Sequence, residues 1–470
     1  MTRFPAGEIQ RLSFPSPQRL VGLWRTRTGV VVLTSLGSLV VRTISSVILT
    51  RLLTPQDFGI VGIIGAVFFV LGMITDLGFT SFVVPHQRGD ERHFRNVIWT
   101  IHAGRGLALA LLAAAASPLV AWALGKPLLA LPLAVSSTTF FLNGIASLSL
   151  ITALRHHGAR KLSVLDLILQ VFQTVACLIL ALWWRNAWAM IAGMVLQSAL
   201  RVVFSYTWFP DSKQAPERDR AISREFLNFS KLILATSATT LVILQADKLV
   251  LARLFTLSQF GLYALALSLA SAPMAIGDSY ITRVVFPVYA EIWRSAPAAI
   301  ADVYYRVRRA ASLLFALFCG GLIGGAHLLV AILYDPRYAG AATWLSLLMI
   351  SVALRLPNVA AGQLMTAMGN IKPMFRLNLV RLIWLGTAMP LGYLQFGPTG
   401  IVGAVGLLEV PSMFYSWIIL RRARVLDLRQ ELLFIAAVAV GAAVAYGIST
   451  QIHLADTNLI RASLKAILRW

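Results

Sequence analysis

Three observations predict an all-α polytopic membrane protein of two pseudo-symmetric six-helix bundles plus about one extra C-terminal transmembrane helix. Hydrophobic residues make up 58% of the chain and charged ones only 13%, where a soluble domain carries about 25% charged residues. Apolar stretches long enough to cross ~30 Å of hydrocarbon, which takes about 20 helical residues, recur from residue 29 to residue 452. Finally, residues 49–85 align without a gap to residues 251–287 at a constant offset of 202.

Taken in order, residues 1–28 form a basic arm. It has no apolar core and no small-residue cleavage site, so it reads as a retained cytoplasmic arm rather than a signal peptide. Six spans follow near 29–50, 58–84, 96–117, 128–153, 164–184 and 187–209, making a first lobe over 29–209. The most polar stretch of the chain, FPDSKQAPERDRAISREF at 209–226, predicts a cytoplasmic linker over 210–229. Spans near 230–251, 260–287, 309–333, 341–366, 376–396 and 400–420 make a second lobe over 230–420. Residues 421–470 hold an extra span near 432–452 and a tail at 457–470. That tail is too short to cross again, so Leu459, Ile460, Leu464, Ile467 and Trp470 predict an amphipathic interfacial helix.

The repeat carries eleven identical pairs in 37 aligned positions, including Arg51/Arg253, Thr54/Thr256, Gly59/Gly261, Asp76/Asp278, Thr80/Thr282 and Pro85/Pro287. Shared apolar composition alone would yield roughly three or four. A second echo, LVAWALGKP at 119–127 and LVAILYDP at 329–336, falls at the outer end of the third span of each half. Same-sense repeats of this length describe transporters that rock one bundle against another.

Lys and Arg accumulate on the cytoplasmic side of short loops. With the N-terminus cytoplasmic, the inner segments hold 25 cations and the outer loops five: Arg51, Lys126, Arg185, Arg253 and Arg337. This orients the chain. The net charge of +22 is therefore topological, spread over inner loops rather than gathered on a basic domain, and nucleic acid is excluded as a partner. Cys177 and Cys319 lie in spans far apart in sequence and offer neither a disulfide framework nor metal-ligand spacing. No HExxH, GxSxG or Walker-type motif occurs, so metal catalysis and ATP hydrolysis lack their usual footing and no cofactor is expected.

The segments TRLLTPQDFGIVGI at 50–63, ITDLGFTSFVV at 74–84, ADKLVLARLFTLSQFGLYALAL at 246–267 and VVFPVYAEI at 284–292 resemble the Wzx/PST polysaccharide flippases of the multidrug/oligosaccharidyl-lipid/polysaccharide superfamily. The resemblance covers about residues 25–420. It implies two six-helix lobes around a central cavity and a non-enzymatic protein of the bacterial inner membrane. The implied cargo is an undecaprenyl-diphosphate-linked oligosaccharide, such as an O-antigen, exopolysaccharide or capsule repeat unit, moved from the cytoplasmic to the periplasmic leaflet. Membrane lipids, a glycan polymerase and chain-length machinery are the implied partners. The apparent thirteenth span departs from the family's twelve or fourteen helices.

Ionisable residues in spans cost ~2.5–3.5 kcal/mol on insertion scales and face partners or wet cavities. Within or just inside spans lie eight cations, Arg42, Arg105, Arg201, Lys231, Lys248, Arg283, Arg355 and Arg381, against five acids, Asp76, Asp166, Asp247, Asp278 and Glu409. An excess of three positive charges suits a diphosphate in a low-dielectric cavity, with Arg42, Arg105, Lys248, Arg283 and Arg355 as its expected ligands. Ser35, Ser38, Arg42 and Ser45 share one face of the first span, as Ser237, Thr240 and Asp247 do in the seventh and Ser268, Ser271, Asp278 and Arg283, less perfectly, in the eighth. Adjacent Asp247 and Lys248 point about 100° apart on a helix, so one is expected to seek Arg42 or Arg283; a structural ion pair and a cargo contact both remain open. Asp76 and Asp278 fit either a pseudo-symmetric hinge or cation coupling, beside Gly72, Gly78 and Pro273. His102, one turn from Arg105, reads as an interhelical hydrogen-bonding residue or a titrating one.

Arg51 and Arg253, at the starts of the LTPQDFG and FTLSQFG turns, are expected at an outer gate, where acids or helix C-terminal carbonyls offset their repulsion. Two rival functions share these features. A cation-coupled exporter of small amphiphiles would need a negative cavity. A membrane glycan polymerase or transferase would need large outer loops, which the chain lacks.

Overall fold

The computed structural model describes residues 27–454 apart from 157, 210, 211 and 371. The basic arm before residue 27 and the tail expected at 457–470 lie outside the described residues. No described residue is in a strand, as expected of a lipid-embedded chain that must satisfy every backbone group within its own helices.

The first half runs through α1 (Arg27–Leu52), α2 (Pro55–Ile74), the short α3 (Phe79–Val83) and the long α4 (Arg92–Ala123). It continues with α5 (Ala130–Ser136), α6 (Thr138–Ile145), α7 (Ser149–Arg155), α8 (Ala159–Trp184) and α9 (Trp188–Thr207). The second half runs through α10 (Arg220–Leu254), α11 (Leu257–Tyr280), a π-helical turn at Ile281–Val285, α12 (Phe286–Ser295), α13 (Ile300–Leu333) and α14 (Ala341–Ala367). Then come α15 (Lys372–Phe396), α16 (Pro398–Gly406), α17 (Glu409–Arg422) and α18 (Leu428–Leu454). Eleven helical segments among the described residues are long and apolar enough to cross a membrane by length and composition. They fall on the stretches expected as spans two to six and eight to thirteen, while α1 and α10 occupy the first and seventh. Large apolar side chains such as Leu111, Leu112 and Trp122 point out of the bundle at 62–77% exposure, which suits lipid and not water.

The duplication is written into the helix ends. Thr54 caps α2 in a capping box with Asp57, and Thr256 caps α11 in a capping box with Gln259. All four positions correspond at the offset of 202. The break that follows also corresponds, α3 at Phe79–Val83 matching the π turn at Ile281–Val285. Its form differs because Gly78 adopts φ +72° between the end of α2 and the start of α3, with Asp76 Oδ1 accepting its N–H at 2.9 Å. Tyr280 stands at the equivalent place in the second copy; its Cβ disfavours that conformation. The second helix therefore runs on and absorbs the irregularity as a π turn.

Two glycine-lined contacts set the packing. Gly59 of α2 and Gly261 of α11 bring the halves together, and Gly320 and Gly324 of α13 face Gly441 and Ala442 of α18. A Cβ on Gly320 would strike Val438 O, on Gly324 Ala442 O, and on Gly441 Leu317 O. Small residues four apart allow this approach where no hydrophobic drive exists between helices in lipid. A buried ion pair, Arg308–Glu431 at 2.6 Å and 4% exposed on each side, joins α13 to α18. α13 starts before the apolar stretch near 309–333, and Arg308, just ahead of that stretch, lies in the buried face of the helix.

The polar segment expected as a linker over 210–229 is packed and partly helical. Its second half is the start of α10, where Ile222 and Phe226 join Phe79, Phe82, Phe94 and Ile98 in one apolar cluster. Its first half is clamped to α4: His93 contacts Glu217 at 2.6 Å and Asp219 at 3.0 Å, and Asn96 Nδ2 donates to Glu217 at 2.9 Å. Polarity marked the segment without revealing that its carboxylates had partners.

Candidate functional site

At the end of the bundle where α1 and α10 stop, the two halves close on each other. A Cβ on Gly59 would collide with Leu257 O, and one on Gly261 with Pro55 O. These contacts are reciprocal at the offset of 202. Each helix end is held by a cation from the other half. Lys126 Nζ donates to Ala252 O at 2.6 Å and Arg253 O at 3.5 Å, and Arg337 Nη2 donates to Thr50 O and Arg51 O at 3.4 Å each. Cations at exposed C-terminal carbonyls are favoured by the helix dipole.

Tyr338 Oη adds a bond to Leu53 O at 3.0 Å, and buried Asp57 accepts the Ala187 N–H at 2.8 Å. Arg51 and Arg253 sit exposed at this closed end, the Arg253 guanidinium beside Gly125, which takes φ +67°. Partial burial, and then the Arg253 guanidinium, push the Lys126 ammonium below its ordinary value. Burial would raise the Asp335 carboxyl, but hydrogen bonds from Arg337 hold it below its ordinary value. Lys126 and Arg337 entered the sequence reading only as outer cations. The signal that marks them is the echo at 119–127 and 329–336: Lys126 is the next-to-last residue of the first segment, and Arg337 directly follows the second.

One to three turns inward lies a cavity of about 380 Å³ between α1, α2, α8, α9 and α11. Arg42 and Ser45 of α1 reach it, with Gln170 and Gln173 of α8 and Ser268 of α11. Arg42 is its only charged lining residue among the described residues, so its walls are hydrogen-bonding and net positive. The side chains of Ser35, Ser237 and Thr240 lie outside the described residues.

The remaining embedded charges divide sharply. Arg355 grips Asp278 through two nitrogens at 3.0–3.1 Å and reaches Glu409 at 3.6 Å. Glu409, 1% exposed, is already held by Arg381 at 2.8 Å and by Asn358 at 2.8 Å. The four charges make a neutral relay across α11, α14, α15 and α17. In the first half Arg105 donates to Thr75 O at 2.6 Å and Gly72 O at 3.2 Å, so it caps the broken end of α2. Asp166 pairs with Arg201 at 3.2 Å.

Asp247 accepts a bond from buried Tyr263 Oη at 2.6 Å and contacts neither Arg42 nor Arg283, either of which had been expected. Lys248 follows it on α10, half-buried. Asp76 is exposed at the α2 break. His102 Nδ1 is 2.8 Å from Gly144 O, an interhelical bond. Arg283 is exposed on the π turn, and neither it nor Arg42 has a partner among the described residues. The excess positive charge thus concentrates on a few side chains instead of spreading over eight. No cluster of His, Cys, Asp and Glu suited to a metal ion occurs among the described residues.

A family model described as "Polysaccharide biosynthesis protein" matches residues 48–343. The chain is 25% identical over 410 residues to the succinoglycan biosynthesis transport protein ExoT of Rhizobium meliloti (strain 1021), covering 84% of this chain and 79% of that one. It is 21% identical over 386 residues to the lipopolysaccharide biosynthesis protein WzxC of Escherichia coli (strain K12), covering 79% and 76%. Its fold is similar to that of the lipid II flippase MurJ in an inward closed conformation, with TM-score 0.64, 13% identity and coverage of 90% and 98%. It is also similar to an inward-facing multidrug resistance MATE family transporter of the MOP superfamily, with TM-score 0.54, 13% identity and coverage of 84% and 95%.

Proposed function

This chain belongs to the polysaccharide biosynthesis protein family, and from that premise we propose that it is a flippase for an undecaprenyl-diphosphate-linked oligosaccharide, carried from the cytoplasmic to the periplasmic leaflet of the inner membrane by alternating access. The relatives named for succinoglycan transport and lipopolysaccharide biosynthesis and the fold shared with a lipid II flippase support this cargo class. The observation that carries the reading is the cavity around Arg42: positive, free of acids among its described lining residues, and placed directly inside a closed end. Its volume suits a head group rather than a whole glycan.

In this reading Arg42 meets the diphosphate in the cavity inside the closed end, and Arg283, exposed on the π turn beyond the far end of α11, meets it on entry. The prenyl chain stays in lipid between lobes at 29–209 and 230–420, and the lobes rock about the contact of α2 with α11. In this reading the closed end is the periplasmic one. Asp278 and Arg355 serve as a relay beside the π turn, and Asp76 marks the matching hinge. No covalent step is involved. A glycan polymerase and chain-length machinery would receive the translocated unit.

A cation-coupled exporter of small amphiphiles would need free acids in the cavity, and none of its described lining residues is an acid. Here Asp278, Glu409 and Asp247 are all engaged by the protein, which disfavours it. Deleting the gene should accumulate lipid-linked repeat units on the inner leaflet, and the purified chain in liposomes should move them to the other leaflet. A deletion strain that exports its glycan normally would overturn the proposal. For orientation, a reporter after Arg220 should read cytoplasmic and one after Tyr338 periplasmic.

A further inference from the structure

The turn between α17 and α18 closes a cavity of about 810 Å³, remote from the cargo site. Its rim carries Arg421 on α17, Arg424 in the turn and Arg429 on α18. All three are exposed and have no partner among the described residues. Asp427 is the one acid of the lining, against three guanidiniums; its Oδ1 accepts the Arg429 N–H at 2.9 Å, and its own N–H donates to Tyr305 Oη at 3.1 Å. Arg424 stands at φ +56°, a left-handed conformation that a side chain adopts at a cost and that glycine would take freely. The turn nevertheless spends that position on a guanidinium.

From this rim an apolar track runs along the helices. Phe414 and Ile418 of α17 are 53% and 49% exposed, and Leu428 of α18 is 50% exposed. Between track and rim, Trp417 Nε1 donates to Glu431 Oε2 at 3.4 Å, and so touches the ion pair that ties α18 to α13.

We propose that this cavity binds an anionic phospholipid, its phosphate held by Arg421, Arg424 and Arg429 and its acyl chains laid along Phe414 and Ile418. Three cations at the end of a span, next to an exposed apolar face, match the head and tail of an amphiphile; a soluble phosphate would leave the track bare. With three guanidiniums against one carboxylate, the net positive rim favours an anionic head group over a zwitterionic one. Contacting both α17 and α18, the lipid would hold the last helix against the second half.

Native mass spectrometry of the full chain in detergent, with equal phosphatidylglycerol and phosphatidylcholine, tests this. Phosphatidylglycerol should be retained over phosphatidylcholine, and each of Arg421→Gln, Arg424→Gln and Arg429→Gln should reduce that preference by about fivefold. The triple variant should approach parity. Thermal unfolding should rise with phosphatidylglycerol and stay unchanged with inorganic phosphate. The single variants keep the test open should the triple variant fail to fold. A full preference in all three single variants, or equal stabilisation by inorganic phosphate, would overturn the proposal.

Discussion

Gly59 and Gly261, 202 residues apart, each press against the carbonyl of the helix start that belongs to the other, Gly59 on Leu257 O and Gly261 on Pro55 O. Any side chain at either position meets backbone that has no room to yield. Gly59→Val and Gly261→Val should therefore hold this end apart. Spin labels on Gln56 and Ser258 should report a longer distance than in the wild type, with helical content retained and export at least about tenfold lower, as expected when some 1.4 kcal/mol or more is added against closure. An unchanged distance would remove this contact from the gate.

Lys126 and Arg337 hold helix ends from opposite halves, and charge at a helix C-terminus contributes about 0.3–1 kcal/mol. Lys126→Ala and Arg337→Ala should each lower the closed population about two- to fivefold in the same spin-label measurement. Lys126→Arg should keep it. Since Arg337 lies farther from its carbonyls, at 3.4 Å against 2.6 Å for Lys126, the Lys126 variant should show the larger effect.

Embedded cations should separate by partner. Arg42→Ala and Arg283→Ala should abolish most export at normal abundance, with Arg42→Lys partly active because an ammonium lacks the planar fork. Arg355→Ala should instead lower stability, by about 1–3 kcal/mol, because it strands Asp278. The figure falls below that for a fully buried pair since the side chains of Arg355 and Asp278 are 29% and 34% exposed. Abundance in the membrane alongside export per molecule distinguishes the classes; normal export from both Arg42 and Arg283 variants would place the diphosphate elsewhere.

The Arg308–Glu431 pair should anchor the last helix. Glu431→Gln leaves the buried Arg308 charge uncompensated and should cost about 3–5 kcal/mol. The double variant Arg308→Met, Glu431→Leu should recover most of the loss. Thermal unfolding of the three proteins checks this, and a double variant no better than the single would assign the loss to packing.

The clamp on residues 212–219 should depend on pH. Hydrogen bonds from His93, and then from Asn96, hold the Glu217 carboxyl below its ordinary 4.5; His93 and the Ile222 and Ala221 N–H groups hold Asp219 below 3.8. Depressed carboxyls contribute fully above those ordinary values and lose that contribution as pH falls through the lowered ones. Hydrogen exchange in this segment should thus be steady near pH 5 and faster near pH 3, relative to the intrinsic rate. His93→Ala should show the faster exchange already at pH 5.

Composition and apolar run length by themselves determined the class and the approximate spans, because lipid imposes length and polarity on each helix separately, and the repeat at an offset of 202 marked two related halves. The capping boxes of α2 and α11 fall at positions that correspond at the offset of 202, since a capping box is built from one turn of chain. Arg42 could be singled out for a similar local reason, its place on a polar face of an otherwise apolar helix.

Which charges remained available was decided only by tertiary structure. Arg105 and Arg355 looked like Arg42 in sequence, but one lies against the broken end of α2 and the other against Asp278. Neither partner is near in sequence: thirty residues separate Arg105 from Thr75, and 77 separate Arg355 from Asp278. The burial of Arg308, the clamp on the linker and the cross-held helix ends arise in the same way. Ion pairing and desolvation depend on distances between helices, and the apolar pattern of a single helix records which face is turned inward without recording what it meets there.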